Sequence, residues 1–355
     1  MKNLNLKKVH FFKLILIAFF LGSTISCSFF QNTSEKPFVL DLDDVVQTAG
    51  DQPFFANSDT IVLNPGSQLI PSFDIVKEHH GNFYILDKRQ KAIFVFDEAG
   101  QLAYQIAREG RGPGEYLNIF DFFLMDGQLH LVTQLGRVLI YDKDLFIAEY
   151  DLPFTPMYCE YLGENKVAFQ NVYEDFSYKY RLVVYCLERN EIIDSMETEK
   201  GVDDDSYPFW RQRHLWPSGN VVLYNNDYSN DVFMITNSGI EHLFSMTGVI
   251  LHTADEIMEF NNNPTLRQGK NDKVDFLKGL TMHGNVVSFG FLVNYLPYTV
   301  FLNLDDNTYK SFKAIRPPYF AATAQGAYGF WPRMAPRPGQ PMVIINYTFE
   351  PHLLD

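Results

Sequence analysis

Arginine and aromatic side chains recur in this 355-residue chain at places that each precede a short apolar run. The groups are Arg111, Glu115 and Tyr116; then Tyr207, Trp210, Arg211 and Arg213; then Arg316, Tyr319 and Phe320; and finally Trp331 with Arg333. Guanidinium forks pair with carboxylates and flat rings stack on apolar sugar faces, so such a set suits a carboxylate, a sugar ring or a peptide. The same residues also suit a scaffold role, with Arg111 and Glu115 pairing to their neighbours and Trp210 and Trp331 filling space. An aromatic ring exposed beside the arginines would distinguish binding from filling.

Other chemistry is less well supported by spacing. Asp203, Asp204 and Asp205, with Glu199 nearby, lack the alternating ligand order and glycine turn of a calcium loop, and read as a solvated acidic segment. His79 and His80 precede Gly81 in a turn and read as a surface pair. No H-E-x-x-H or Cys/His ligand spacing occurs, so no cofactor is expected; His130, His214 and His283, on or near strands, leave open a divalent metal held by scattered residues. A nucleophile elbow and a phosphate-binding loop are both absent from the sequence.

The elements that must hold these groups form a repeat. Gly81-Asn82-Phe83-Tyr84-Ile85-Leu86 recurs as Gly127 to Val132, Glu164 to Phe169, Gly219 to Tyr224, Gly284 to Phe289 and Gly339 to Ile344, with starts 46, 37, 55, 65 and 55 residues apart. Each copy is a tight turn followed by an apolar strand, and most are followed by a second strand ending in a polar turn, such as Ala92 to Asp97 or Val138 to Asp142. Four antiparallel strands per repeat make a propeller blade. The fold class expected is therefore all-β: a six-bladed propeller of four-stranded antiparallel blades. The sixth copy has few residues after it, so Thr60-Ile61-Val62-Leu63 is expected to supply a missing outer strand and close the last blade. Thr253-Ala254-Asp255-Glu256 is a capping box that predicts a short helix between the fourth and fifth blades. In such a ring, loops from each outer strand to the next inner strand gather at one mouth of the central channel. Arg111, Glu115, Tyr116, Trp210, Arg211, Arg213, Tyr319 and Arg333 are the candidate binding residues there.

Between the first two blades runs Arg108-Glu109-Gly110-Arg111-Gly112-Pro113-Gly114-Glu115-Tyr116. This stretch resembles the G-x-G-P-G-E-[FY] element of the bacterial 6-bladed β-propeller lipoproteins, a group similar to NHL- and TolB-like propellers. The resemblance spans about Thr60 to the C-terminus and implies an architecture and an address rather than a ligand. The address is also written at the N-terminus, where Lys2, Lys7, Lys8 and Lys13 precede the apolar run Leu14 to Leu21. That run is too short to span a bilayer. Thr24-Ile25-Ser26-Cys27 resembles a lipobox, with Thr24 where leucine is usual, which implies cleavage before Cys27 and its acylation. The domains expected are a signal peptide over 1–26, a tether and lead-in over 27–52, and the propeller over 53–355. Ser28 to Asn32 carry no acid, and by the resemblance this favours an outer-membrane lipoprotein facing the periplasm over one exported to the surface.

Removing residues 1–26 leaves 25 basic against 43 acidic residues, a net charge of about −18. Such a chain repels phosphate backbones, and nucleic acid is not expected as a partner. Cys159 and Cys186 fall on the first and third strands of one blade, about 9.5 Å apart by strand spacing, beyond disulfide reach. Two buried free thiols are expected. The function expected is a membrane-anchored binding or scaffolding module for an envelope protein, peptide or glycan. The alternative is a propeller lyase or hydrolase, with or without a channel metal.

Overall fold

The computed structural model describes residues 38–174, 177–198, 213–225, 229–253, 256, 259, 272–274, 277–314, 319–331 and 342–354. Its strands form six sheets arranged as blades, each of four antiparallel strands that run in chain order from the inner strand outward, except that the outermost strand of the sixth comes from earlier in the chain and the fourth carries an added parallel strand. The inner strands are Ile75–His79, Thr155–Gly163, Leu215–Ser218, Lys278–His283, Tyr319–Thr323 and, in the second blade, Ile119–Met125. All six begin at one end of the ring, the mouth. Second-to-third turns and fourth-to-first loops therefore share the mouth face, and the remaining hairpin turns share the opposite face.

Burial explains the sequence texture. The middle strands of blade 1, Asn82–Asp87 and Ala92–Phe96, are covered on both sides by neighbouring blades and are buried almost throughout. Such strands read as continuous apolar runs rather than alternating ones. The outer strand Leu145–Asp151 of blade 2 is mostly exposed, Leu145 and Ile147 included. The apolar clusters lie between blades: Phe123, Val138, Phe169 and Val183 join blades 2 and 3, and Leu223, Phe244, Phe289 and Val300 join blades 4 and 5.

Ring closure follows the expected route. Phe55–Leu63 pairs antiparallel with Met342–Phe349, from Phe55 opposite Phe349 to Leu63 opposite Met342, as the outermost strand of blade 6. The sixth copy of the repeat is displaced by one strand, however. Met342–Phe349 is the third strand, and the second is Gly326–Trp331. Its start, Gly326-Ala327-Tyr328-Gly329, lacks the branched residues that mark the other copies, and the ideal Cβ of a residue at 326 would lie 1.8 Å from the Tyr347 carbonyl oxygen. Close backbone approach selected glycine there and erased the pattern.

Described elements also lie ahead of that strand, inside the expected lead-in. Phe38–Asp41 adds to blade 4 as a fifth strand, parallel to Gly239–Thr247. A helix follows, Leu42–Thr48, capped by the Asp41 carboxylate, which accepts the Asp43 N–H at 2.9 Å. Leu42 and Val45 are buried in the layer between blades 4 and 5. Asp43 accepts the Val249 N–H at 2.7 Å, and the Ser311 hydroxyl donates to the Val45 carbonyl at 3.0 Å, so the helix staples the two blades. The reciprocal bonds of the Thr253/Glu256 capping box are present at 2.9 and 3.2 Å. Cys159 and Cys186 are both buried and free.

Candidate binding site at the channel mouth

Four chain segments bring charge into the interior of the ring. Lys77 lies on the inner strand of blade 1, Asp121 on that of blade 2, Glu160 on that of blade 3, and Arg213 two residues before that of blade 4. The Lys77 Nζ sits 3.2 Å from Asp121 Oδ1 and 3.4 Å from Glu160 Oε2. It also donates to the carbonyls of Cys159, at 2.7 Å, and Phe122. Arg213 pairs with Glu160, and its Nε lies 3.7 Å from Asp121 Oδ2. Asp121 further accepts the N–H groups of Phe122 at 2.7 Å and Cys159 at 2.9 Å. A register shift between Ile119 and Asp121 marks a bulge, the kind of irregularity that re-aims a side chain.

Two cations and two carboxylates thus neutralise one another where water is excluded; the Asp121 side chain is 0% exposed and Arg213, the most open of the four, 17%. Burial pulls the Lys77 pKa down, with the Asp121 charge opposing it, and burial pushes the Cys159 thiol well up. Buried charges with their partners in place define one geometry, and here that geometry locks blades 1 to 4 together at the channel.

Above this box, on the mouth side, lies a cavity of about 220 Å³. Its walls are largely aromatic: Phe73, Trp216, Tyr319, Phe320 and Phe330, from blades 1, 4 and 6. Arg213 and Asp74 are its charged lining residues. Phe73 and Phe330 hold each other with ring centres 4.5 Å apart, and Phe320 stacks on Tyr328 at 6.1 Å. Asp74 is fixed by the Ser72 hydroxyl and the Lys88 N–H, each at 2.8 Å. The Lys88 ammonium stands 5.0 Å from the Tyr158 ring centre, and burial lowers its pKa against the pull of Asp121 and Asp74.

Of the candidate residues, Arg213 and Tyr319 meet at this cavity. The first inter-blade loop lies elsewhere on the same face. Tyr116 is buried, its hydroxyl bonded to the carbonyls of Lys91 at 3.0 Å and Ile106 at 3.2 Å and to the Arg108 N–H at 3.1 Å, and burial raises its pKa to about 12. Glu115 accepts the Gly112 N–H at 2.7 Å and so closes the glycine turn, while Arg111 is exposed. Gly114 has φ +70°, and a Cβ there would fall 2.5 Å from Cγ of Phe146, so this position of the loop requires glycine. Tyr207, Trp210, Arg211, Arg316, Arg333 and the acidic segment 203–205 lie outside the described residues.

The three histidines are placed apart. His130 stacks on Phe123 with ring centres 4.8 Å apart, its Nδ1 3.4 Å from the Tyr150 hydroxyl, and burial lowers its pKa to about 4. His283 Nε2 bonds the Gly326 carbonyl at 2.7 Å, and the His214 N–H bonds the Gln170 side chain at 2.8 Å. Among the described residues, no three His, Cys, Asp or Glu side chains are grouped to hold a metal ion. Sequence reading missed Lys77, Asp121 and Glu160, which carried one available signal: each interrupts an apolar inner strand with a charge.

A closed ring of six four-stranded blades, with its mouth and its charged channel, defines a six-bladed β-propeller. The chain belongs to the family described as "6-bladed beta-propeller", whose model matches residues 31–331. Among solved structures it is similar to a protein of Bacteroides fragilis described as exported, at 15% identity and a TM-score of 0.67, covering 88% of this chain and 99% of that one. It is also similar to a protein of Bacteroides vulgatus, at 12% identity and a TM-score of 0.51, covering 83% of this chain and 97% of that one. Searching curated proteins finds no match.

Proposed function

We propose that this propeller is a membrane-anchored binding module that presents its mouth to a protein, peptide or glycan at the cell envelope. The aromatic-walled cavity beside Arg213 carries the reading, because concave apolar walls with few fixed polar groups are the usual form of a ligand site. The charge box beneath supports it by holding Arg213 in one place before a ligand arrives. Attachment rests on the lipobox-like Thr24-Ile25-Ser26-Cys27, and each buried acyl CH₂ contributes about 0.8 kcal/mol to anchoring. The periplasm-facing outer membrane is the address proposed.

The test uses C-terminally tagged protein drawn from envelopes in mild detergent. Wild type retains a stoichiometric ligand that Phe320→Ala loses while its melting temperature stays nearly unchanged, and Cys27→Ser appears in the soluble fraction. Undiminished retention by Phe320→Ala removes the mouth from the proposal. Continued membrane association of Cys27→Ser removes the anchor.

A further inference from the structure

Lys88 is a cation that the charge box leaves without a counter-ion. Its backbone N–H is tied to Asp74 at 2.8 Å, and its side chain reaches from the second-to-third turn of blade 1 to the inner strand of blade 3, where the ammonium stands 5.0 Å from the Tyr158 ring centre. Among the described residues, no carboxylate comes within ion-pair distance of that ammonium and no acceptor bonds it. Burial lowers its pKa, the Asp121 and Asp74 charges oppose that fall, and the Arg213 charge adds to it. An ammonium taken partly out of water with a ring face as its contact carries a desolvation cost, and a bound anion offsets such a cost.

The interior carboxylates are already engaged. Asp74 accepts from Ser72 and from the Lys88 N–H, Asp121 from Phe122 and Cys159 beside Lys77, and Glu160 faces Lys77 and Arg213. Arg213 turns its Nε toward Asp121 and its Nη2 toward Glu160, which leaves Nη1 without an acceptor among the described residues. Arg213 and Asp74 both line the aromatic cavity, and Lys88, whose charge feels both, stands at the same end of the channel. Charge is divided between the faces in the same sense. The blade 1 turn at the mouth reads Lys88-Arg89-Gln90-Lys91, whereas outer hairpin turns of the opposite face carry acids, as at Asp97-Glu98, Asp142 with Asp144, and Asp305-Asp306. In a chain of net charge −14, an anion is drawn to the mouth rather than to the other side.

We infer that the ligand of the mouth carries a carboxylate, held between the Lys88 ammonium and the Arg213 guanidinium, with its apolar part against the aromatic wall. The inference rests on the mouth being the binding site, as proposed above, and narrows the ligand to a carboxylic acid, whether a peptide C-terminus or an acidic sugar. A planar group with two acceptor oxygens can take a point-charge donor on one and a guanidinium N–H on the other. One unpaired ammonium admits one negative charge. A phosphate dianion brings a second charge toward Asp74, Asp121 and Glu160, with no further free cation among the described residues of the box to offset it.

The experiment measures binding to the whole mature propeller by ligand-observed NMR. The probes are N-acetyl-L-phenylalanine and its uncharged amide, D-glucuronate and its uncharged amide, and phenyl phosphate, with Lys88→Met and Lys88→Arg as variants. The expected result is saturable binding of one carboxylate at least tenfold tighter than its own amide, a preference that Lys88→Met removes and Lys88→Arg keeps. Binding of the acetylated amino acid marks a peptide terminus as the source, and binding of glucuronate marks an acidic sugar. The comparison of acid with amide is made on wild type, so it stands even if a variant fails to fold. Equal binding of acid and amide, a full preference surviving in Lys88→Met, or tighter binding of phenyl phosphate overturns the inference while leaving the mouth as the site. Binding of no probe to wild type also overturns it; whether the mouth binds at all is then read from the retention test above.

Discussion

Removing two facing charges from the interior box should cost clearly less than the sum of removing each alone. In Lys77→Met the Asp121 carboxylate, fully buried, keeps Arg213 at 3.7 Å as its ion-pair partner, and the Cys159 and Phe122 carbonyls lose their donor. At an effective dielectric of about 20, Coulomb attraction across the 3.2 Å Lys77–Asp121 contact is roughly 5 kcal/mol, much of it offset by desolvation in the intact protein. Breaking such a pair from one side costs about 3–5 kcal/mol, because the surviving charge stays buried. Asp121→Asn should cost a similar amount, since it leaves two cations facing Glu160 alone. The double variant keeps the Arg213–Glu160 pair and restores neutrality, so its loss should fall short of the summed single losses by about 2 kcal/mol or more. Urea unfolding of the four proteins at constant m-value gives the coupling directly. Additive losses, or single losses under about 1 kcal/mol, would refute the claim that the box is a desolvated unit.

Two further outcomes follow from the fold. Deleting residues 37–64 removes both the staple Leu42–Thr48 and the closing strand Phe55–Leu63, leaving Met342–Phe349 as an open edge, so the product should aggregate; a soluble deletion with a cooperative melt contradicts the closure. His130, whose pKa falls from 6.5 to about 4 on folding, binds a proton in the unfolded chain first; its contribution is present above pH 6.5 and is lost as pH falls toward 4, amounting to roughly 3 kcal/mol. In His130→Phe the acid-side slope of unfolding free energy between pH 6.5 and 4 should flatten by about one proton, and an unchanged slope would show that this histidine is not buried neutral.

The blades were legible because each middle strand is covered on both faces and announces itself as a turn plus an apolar run, from Gly81-Asn82 to Gly284-Asn285. Blade 6 was misread by one strand where backbone contact at Gly326 replaced branched residues by small ones. The strand Phe38–Asp41 was not legible, since the apolar run Phe38-Val39-Leu40 is short and has no turn-plus-strand repeat around it to assign it to blade 4. The mouth loops could be located from topology alone, which is how Arg213 and Tyr319 were found. Loop position did not reveal that Tyr116 would turn inward to bond Lys91 and Ile106. The charge box needed three dimensions: Lys77, Asp121, Glu160 and Arg213 are far apart in the chain, and only the meeting of successive inner strands at the channel makes them neighbours.

The central claim, that the mouth is the binding face, is tested most directly by site-specific photo-crosslinking in intact cells. A crosslinking residue placed at Tyr295 or Leu135, on opposite sides of the mouth, should trap the same discrete species, and one placed at Asp306 on the acidic face should trap none. Crosslinking from Asp306 with nothing from either mouth position would contradict the account and move the binding surface to the other side of the ring.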